Sequence, residues 1–82
     1  MKDFDAIAEE IRAEREAQIR KWGEQAVSPE KFCVILGEEF GEVCKALLDR
    51  DMVNYRYELI QTAAVCVKMI QAYDREVTNV KV

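Results

Sequence analysis

Apolar residues recur at helical spacing along nearly the whole chain, and the pattern is interrupted in only two places. From about Asp3 to Trp22, the residues Phe4, Ile7, Ala8, Ile11, Ile19 and Trp22 share one helix face, while Glu, Arg and Lys crowd the others. Gly23 to Val27 breaks this period, and Ser28-Pro29-Glu30-Lys31 restarts it with Ser as N-cap and Pro in the first helical position. The second helix is predicted to run to about Arg50. A short turn from Asp49 to Met52 follows, in which Asp51 can cap a third helix from about Val53 to Asp74 or Arg75. So short a connection folds helices two and three into an antiparallel hairpin. The tail from Glu76 to Val82 is β-branched and polar, which predicts an extended, frayed or partner-docked segment.

Polar residues inside the apolar stripes carry more information than the stripes themselves. At about 100° per residue, Phe32, Ile35, Leu36, Val43, Ala46 and Leu47 fall in one arc about 120° wide, with Glu39 inside it and Glu42 about 20° from Ile35. Glu38 lies further toward solvent. On the third helix the apolar arc is Tyr55, Leu59, Ala63, Cys66, Met69, Ile70 and Tyr73, with Glu58 on its margin between Val65 and Met69. Both helices of the hairpin thus carry acid at the rim of the face expected to be buried, where a carboxylate needs a partner or a metal ion. Arg15 and Gln18 fall near the middle of the first helix's stripe, and the arginine there either snorkels outward or meets a ligand.

Gly37 and Gly41 lie on the opposite face of helix two, beside Val34, Cys44 and Leu48. Each glycine costs up to about 1 kcal/mol relative to Ala in a helix interior. A helix that is apolar or small nearly all round is packed on both sides, so the expected assembly is a homodimer or homotetramer that completes a four-helix-bundle-like core. The other reading is that the glycines only relieve crowding near Glu38 and Glu42.

Composition narrows the class. Eighty-two residues, 50% hydrophobic and 34% charged, make one domain whose core is marginal alone. The three cysteines, Cys33, Cys44 and Cys66, form no CxxC pair and sit beside apolar residues, which predicts small core side chains in a reducing cytoplasm. No segment approaches the roughly 18 consecutive apolar residues of a membrane span, and the acidic start from Met1 to Asp5 is unlike a signal peptide. A net charge of -4 without a basic run argues against a nucleic-acid polymer. It leaves room for a nucleotide, whose phosphates can be held through divalent ions on carboxylates. The chain has no histidine, so a di-iron site of the Glu-x-x-His type is excluded.

Paired carboxylates at i and i+3 on two antiparallel helices are hard oxygen ligands, suited to Mg²⁺ or Mn²⁺. At these residues the chain resembles the MazG-like all-α nucleoside triphosphate pyrophosphohydrolases, whose pattern is Glu-x-x-Glu on one helix and Glu-x-x-Asp on the next. Glu39-Phe40-Gly41-Glu42, preceded by Glu38, is similar to the first half, and Glu58-Leu59-Ile60-Gln61 to the second except at its last residue. The flanks Ile35 to Val43, Asn54 to Leu59 and Lys21-Trp22-Gly23-Glu24-Gln25 are similar as well, so the resemblance spans about Gln18 to Arg75.

The resemblance implies hydrolysis of a nucleoside triphosphate to the monophosphate and pyrophosphate, with Mg²⁺ (or Mn²⁺) held by Glu39, Glu42, Glu58 and the residue at Gln61. Glu38 would orient or deprotonate the attacking water, or is a solvated surface acid. Trp22 would stack on the base, or simply ends an apolar stripe. Lys21, Gln25 and Arg15 are the further substrate-binding candidates, with Lys45 and Arg56 as other possible phosphate partners. Gln61 replaces a charged ligand with a neutral amide, so the alternative is a non-catalytic helical accessory protein on the same scaffold.

Overall fold

The computed structural model of the chain describes residues 1–24 and 27–79, with side chains described as far as Glu76. The described residues form three helices: α1 (Phe4–Trp22), α2 (Pro29–Leu48) and α3 (Met52–Asn79). Each begins where a short polar side chain can satisfy the free N–H groups of a first turn. Asp3 accepts from the Ala6 N–H at 2.9 Å, Ser28 from the Lys31 N–H at 3.2 Å and Asp51 from the Asn54 N–H at 3.1 Å. Gly23 ends α1 with φ 74, a conformation that suits glycine, and returns its N–H to the Ile19 carbonyl at 2.8 Å. The end of α3 differs from expectation, because the helix continues past Arg75 to Asn79 where the tail from Glu76 was expected to be extended, frayed or partner-docked, and the extended alternative falls as far as Asn79; Val80 to Val82 lie outside the described residues.

The α2–α3 turn is a helix C-cap without glycine. The Asp51 N–H reaches the Ala46 carbonyl at 3.0 Å and the Arg50 N–H reaches Leu47 at 3.1 Å, with Arg50 in the left-handed region at φ 56. Such a cap usually places glycine at this position, since a Cβ there crowds the following carbonyl. Lys45 braces the turn through Asp49 at 3.1 Å.

α3 is the central element, packing against α2 along the hairpin and against α1 on another flank, while among the described residues α1 and α2 do not approach each other closely. Its innermost position is therefore small: Ala64 is 0% exposed. Phe32, Val43 and Ala46 from α2, with Ala64 and Val65 from α3, form the buried apolar core. The α2 arc predicted from the sequence matches this core, apart from Leu47, which is exposed. Arg56 and Glu10 tie α1 to α3 through two contacts of 2.9 and 2.7 Å. That bond, with a lesser one from Lys2, holds the Glu10 carboxyl down at about 2.

The expected core face of α3 is not the one that this chain buries. Leu59, Cys66, Ile70 and Tyr73 are exposed, Ile70 to 60% and Tyr73 to 66%, whereas Ala64, Val65 and Lys68 are inside. The physical reason is that α3 must turn one side to α1 and another to α2, and its most apolar stripe lies behind both. The expectation of core cysteines is corrected as well: Cys66 lies on that outward side of α3, Cys33 and Cys44 lie on α2 away from its buried Phe32, Val43 and Ala46, and all three are exposed. The result is an elongated body of 49 × 27 × 22 Å with a radius of gyration of 14.2 Å, against about 12 Å for a compact chain of this length. Among the described residues no helix is long and apolar enough to cross a membrane.

Replacing Arg50 with Gly should relieve the left-handed strain at the turn and stabilise the fold by about 1 kcal/mol. Chemical denaturation of the Arg50→Gly variant, followed by helix content, measures this, and an unchanged or lowered midpoint would contradict the strain argument.

Candidate functional site

Because α1 and α2 flank α3 without meeting, a cleft of about 500 Å³ opens between them. The floor is one face of α3, presenting Tyr57, Gln61, Val65 and Lys68 at steps of three or four residues. One wall is α1, with Glu14, Ala17, Gln18, Lys21 and Trp22, and the other is α2, with Ile35 and Glu39. The ion pairs Arg56–Glu10 and Arg75–Glu24 show that α1 and α3 run in the same direction. Order along one helix therefore matches order along the other, and the lining divides by charge: Glu14 and Glu39 with Tyr57 and Gln61 at the lower end, Lys68 with Gln18, Lys21 and Trp22 at the upper.

The acidic end strains its own ionisation. Burial, then the charges of Glu58, Glu42, Glu14 and Glu38, push the Glu39 carboxyl above its usual range. Burial and the Glu42 charge do the same to Glu58, which is not among the residues that line the cleft. Carboxylates from α2 and α3 are thus near enough to oppose one another. They are not gathered into a finished cage: among the described residues no three acidic or thiol side chains meet as an ion-binding group. Gln61 lies on the floor with its amide nitrogen donating to the Tyr57 hydroxyl at 2.6 Å.

The remaining candidates separate clearly. Glu38 and Glu42 are exposed on α2 and do not line the cleft, although both charges are felt at Glu39. Trp22 and Lys21 do line it; Trp22 is 62% exposed, and the Lys21 ammonium lies 4.9 Å from its ring centre. Arg15 neither snorkels nor lines the cleft. It is 5% exposed, donating from Nε to Gln71 at 3.0 Å and from Nη2 to Glu24 at 3.4 Å. Gln25 lies outside the described residues. Arg56 and Lys45 are engaged by Glu10 and Asp49.

Protein-family models, curated proteins and solved structures were all compared with the chain, and none matches.

Three polar lining residues, Glu14, Tyr57 and Lys68, escaped the sequence reading. Glu14 was lost among the surface acids of α1, since only the packing of α1 on α3 brings it to the cleft. Tyr57 sits where helix periodicity alone gave no face. Lys68 had a usable signal: it falls between Ala64 and Val65 on a helical projection, so a lysine stands at the centre of the face that α3 buries.

Glu39 binds its proton more tightly in the folded chain than unfolded, so its ionisation opposes folding as pH rises through the raised folded value. Glu39→Gln should therefore raise the melting temperature of the metal-free protein at pH 7 by a few degrees, with the gain vanishing below about pH 4. Thermal melts across this range in chelator check it; a variant less stable than the parent at pH 7 would refute the strained-carboxylate reading.

Proposed function

We propose that the protein is a metal-dependent nucleoside triphosphate pyrophosphohydrolase of the MazG-like type, converting a (deoxy)nucleoside triphosphate to the monophosphate and pyrophosphate. What supports the reading is the approach of α2 and α3 carboxylates whose burial and mutual repulsion raise Glu39 and Glu58, with Glu39 lining one end of a cleft that carries cations and an aromatic ring at the other. Hard oxygen donors short of positive charge suit Mg²⁺ or Mn²⁺. Glu39, Glu42 and Glu58 would hold the ion, with the Gln61 amide oxygen as a neutral fourth donor while its nitrogen keeps the Tyr57 bond. When bound, the ion supplies charge to neutralise triphosphate oxygens in the transition state. Glu14 faces the cleft and Glu38 does not, so Glu14 is the better placed of the two to orient a water. Trp22 offers an exposed ring to a base, and Lys21 a cation beside it.

We further infer that the working unit is a homodimer or homotetramer, in which a second copy covers the outward stripes of α2 and α3 and completes a four-helix core. Among the described residues a Cβ on Gly37 or Gly41 would meet nothing within 4 Å, so crowding by them explains neither glycine. Around them Val34, Phe40 and Leu48 are exposed, Leu48 to 83%. The single-chain core is thin, as expected of a chain this short that relies on association.

A second reading has its own observation. The Gln61–Tyr57 hydrogen bond is a neutral pair where the related pattern has a charged ligand, which favours a non-catalytic helical accessory protein built on the same scaffold.

The deciding measurement is pyrophosphate release from ribo- and deoxynucleoside triphosphates with Mg²⁺, with Mn²⁺ and with chelator. Metal-dependent release is expected, lost in Glu42→Gln without loss of helix content, and Gln61→Asp should bind the metal more tightly; no release from any nucleotide by folded protein would leave the accessory reading. For assembly, sedimentation should give a dimer or larger that Gly41→Glu dissociates, and a monomeric parent would refute the inference.

A further inference from the structure

α1 sends a column of three side chains to the cleft. Glu14, Gln18 and Trp22 follow at steps of four residues, about 6 Å apart along the helix axis, and all three line it. The carboxylate stands at the acidic end and the ring at the other, so the amide lies between them. Trp22 is 62% exposed even with the Lys21 ammonium 4.9 Å from its ring centre, which leaves aromatic surface uncovered at the cleft edge. Gln18 is unusual for another reason. Its Oε1 is enclosed by protein and, among the described residues, has no hydrogen-bond donor. A buried acceptor in that state is costly and calls for an explanation. Packing does not supply one, because methionine at the same place on an apolar helix face would leave no polar atom orphaned. The terminal amide torsion is soft, so rotation of the amide alone can turn the acceptor toward a ligand in the cleft.

We propose that Gln18 reads the base of a bound nucleotide, accepting a hydrogen bond from a base N–H while the base lies against Trp22. This rests on the nucleotide reading of the cleft given above and adds to it a specificity-determining residue. A base offers what both side chains lack, a flat π surface for the ring and N–H donors around its edge for the amide. Phosphate oxygens are acceptors and cannot satisfy Oε1. A metal ion is disfavoured beside it, since Lys21 and Lys68 line the same end of the cleft. A buried acceptor that only the ligand's donor completes discriminates against an analogue without that donor, because the atom is then left unpaired again.

Trp22 is the only tryptophan of the chain, so its fluorescence reports a ligand against its ring. The full chain would be titrated in EDTA with two pairs of nucleoside monophosphates, adenosine against purine riboside and uridine against 3-methyluridine. Within each pair the ribose and phosphate are identical, and the second member has no base N–H. At least one natural member should quench with an affinity about tenfold or more above that of its donor-free partner. Gln18→Met should abolish that preference, weakening the natural member about tenfold and leaving the donor-free one within about threefold of the parent. Gln18→Glu keeps an acceptor and should keep the preference. Without ligand, Gln18→Met should melt no lower than the parent, since the orphaned atom is gone; a lower melting temperature would mean that the amide holds α1 in place and would overturn the specificity role. No quenching by any probe, or a preference that survives Gln18→Met, also overturns it. So does equal weakening of both members of a pair, which would put the donor on the sugar. These probes need neither metal nor turnover. Pyrophosphate release without base preference would therefore sink the Gln18 assignment and leave the hydrolase reading standing, and base preference without release would do the reverse.

Discussion

The structure depends on one constraint: a single helix, α3, must serve as partner to two others. A helix offers a limited arc for packing, and contacts with α1 and α2 take up flanks that are separated around its circumference. Between the flanks there is a floor and no third helix to cover it, so a cleft follows from the arrangement without any further device. Ala64 fits this geometry because a larger side chain at the innermost position would push one neighbour away. The same allocation leaves the back of α3 bare, which is why Leu59, Ile70 and Tyr73 face outward in a chain with few apolar residues to spare.

Electrostatics then gives the cleft a direction. Parallel α1 and α3 keep like with like along their length, so Glu14 comes to the level of Glu39 while Gln18 and Lys21 come to the level of Lys68. A lining with acid at one end and cations at the other is complementary to a ligand whose charge is also uneven. Each end is strained alone, Glu39 and Glu58 upward in proton affinity and Lys68 downward, and those shifts share the same two causes, burial first and like charge nearby second.

Local chemistry was legible in the chain and tertiary allocation was not. Ser28-Pro29, Asp51 and Gly23 mark their helix ends through hydrogen bonds that involve only near neighbours, so the three elements could be read directly. Glu39 stood out because it interrupts an apolar arc on its own helix. Glu14 could not stand out in this way, since it reaches the cleft only through the docking of α1 on α3. The misjudged face of α3 has the same origin: hydrophobicity ranks Leu59, Cys66 and Ile70 as core, and nothing local states that two smaller faces are claimed first. Lys68 shows the converse error, where a charged residue at the centre of a helical face was passed over although its position alone marked it.

The long C-terminal part of α3 acquires a role through Glu24. Its Oε2 receives both Arg15 from α1 at 3.4 Å and Arg75 from the last turns of α3 at 3.6 Å, directly after the glycine that ends α1. The end of a helix is the part that opens most readily in a folded protein. Here that fraying reaches inward: when the turn bearing Arg75 melts, Glu24 loses that ion pair, and of the two described at its carboxylate the one to Arg15 remains. The C-terminal turns of α3 are thus coupled, through one carboxylate, to the end of α1 that carries Lys21 and Trp22 into the cleft.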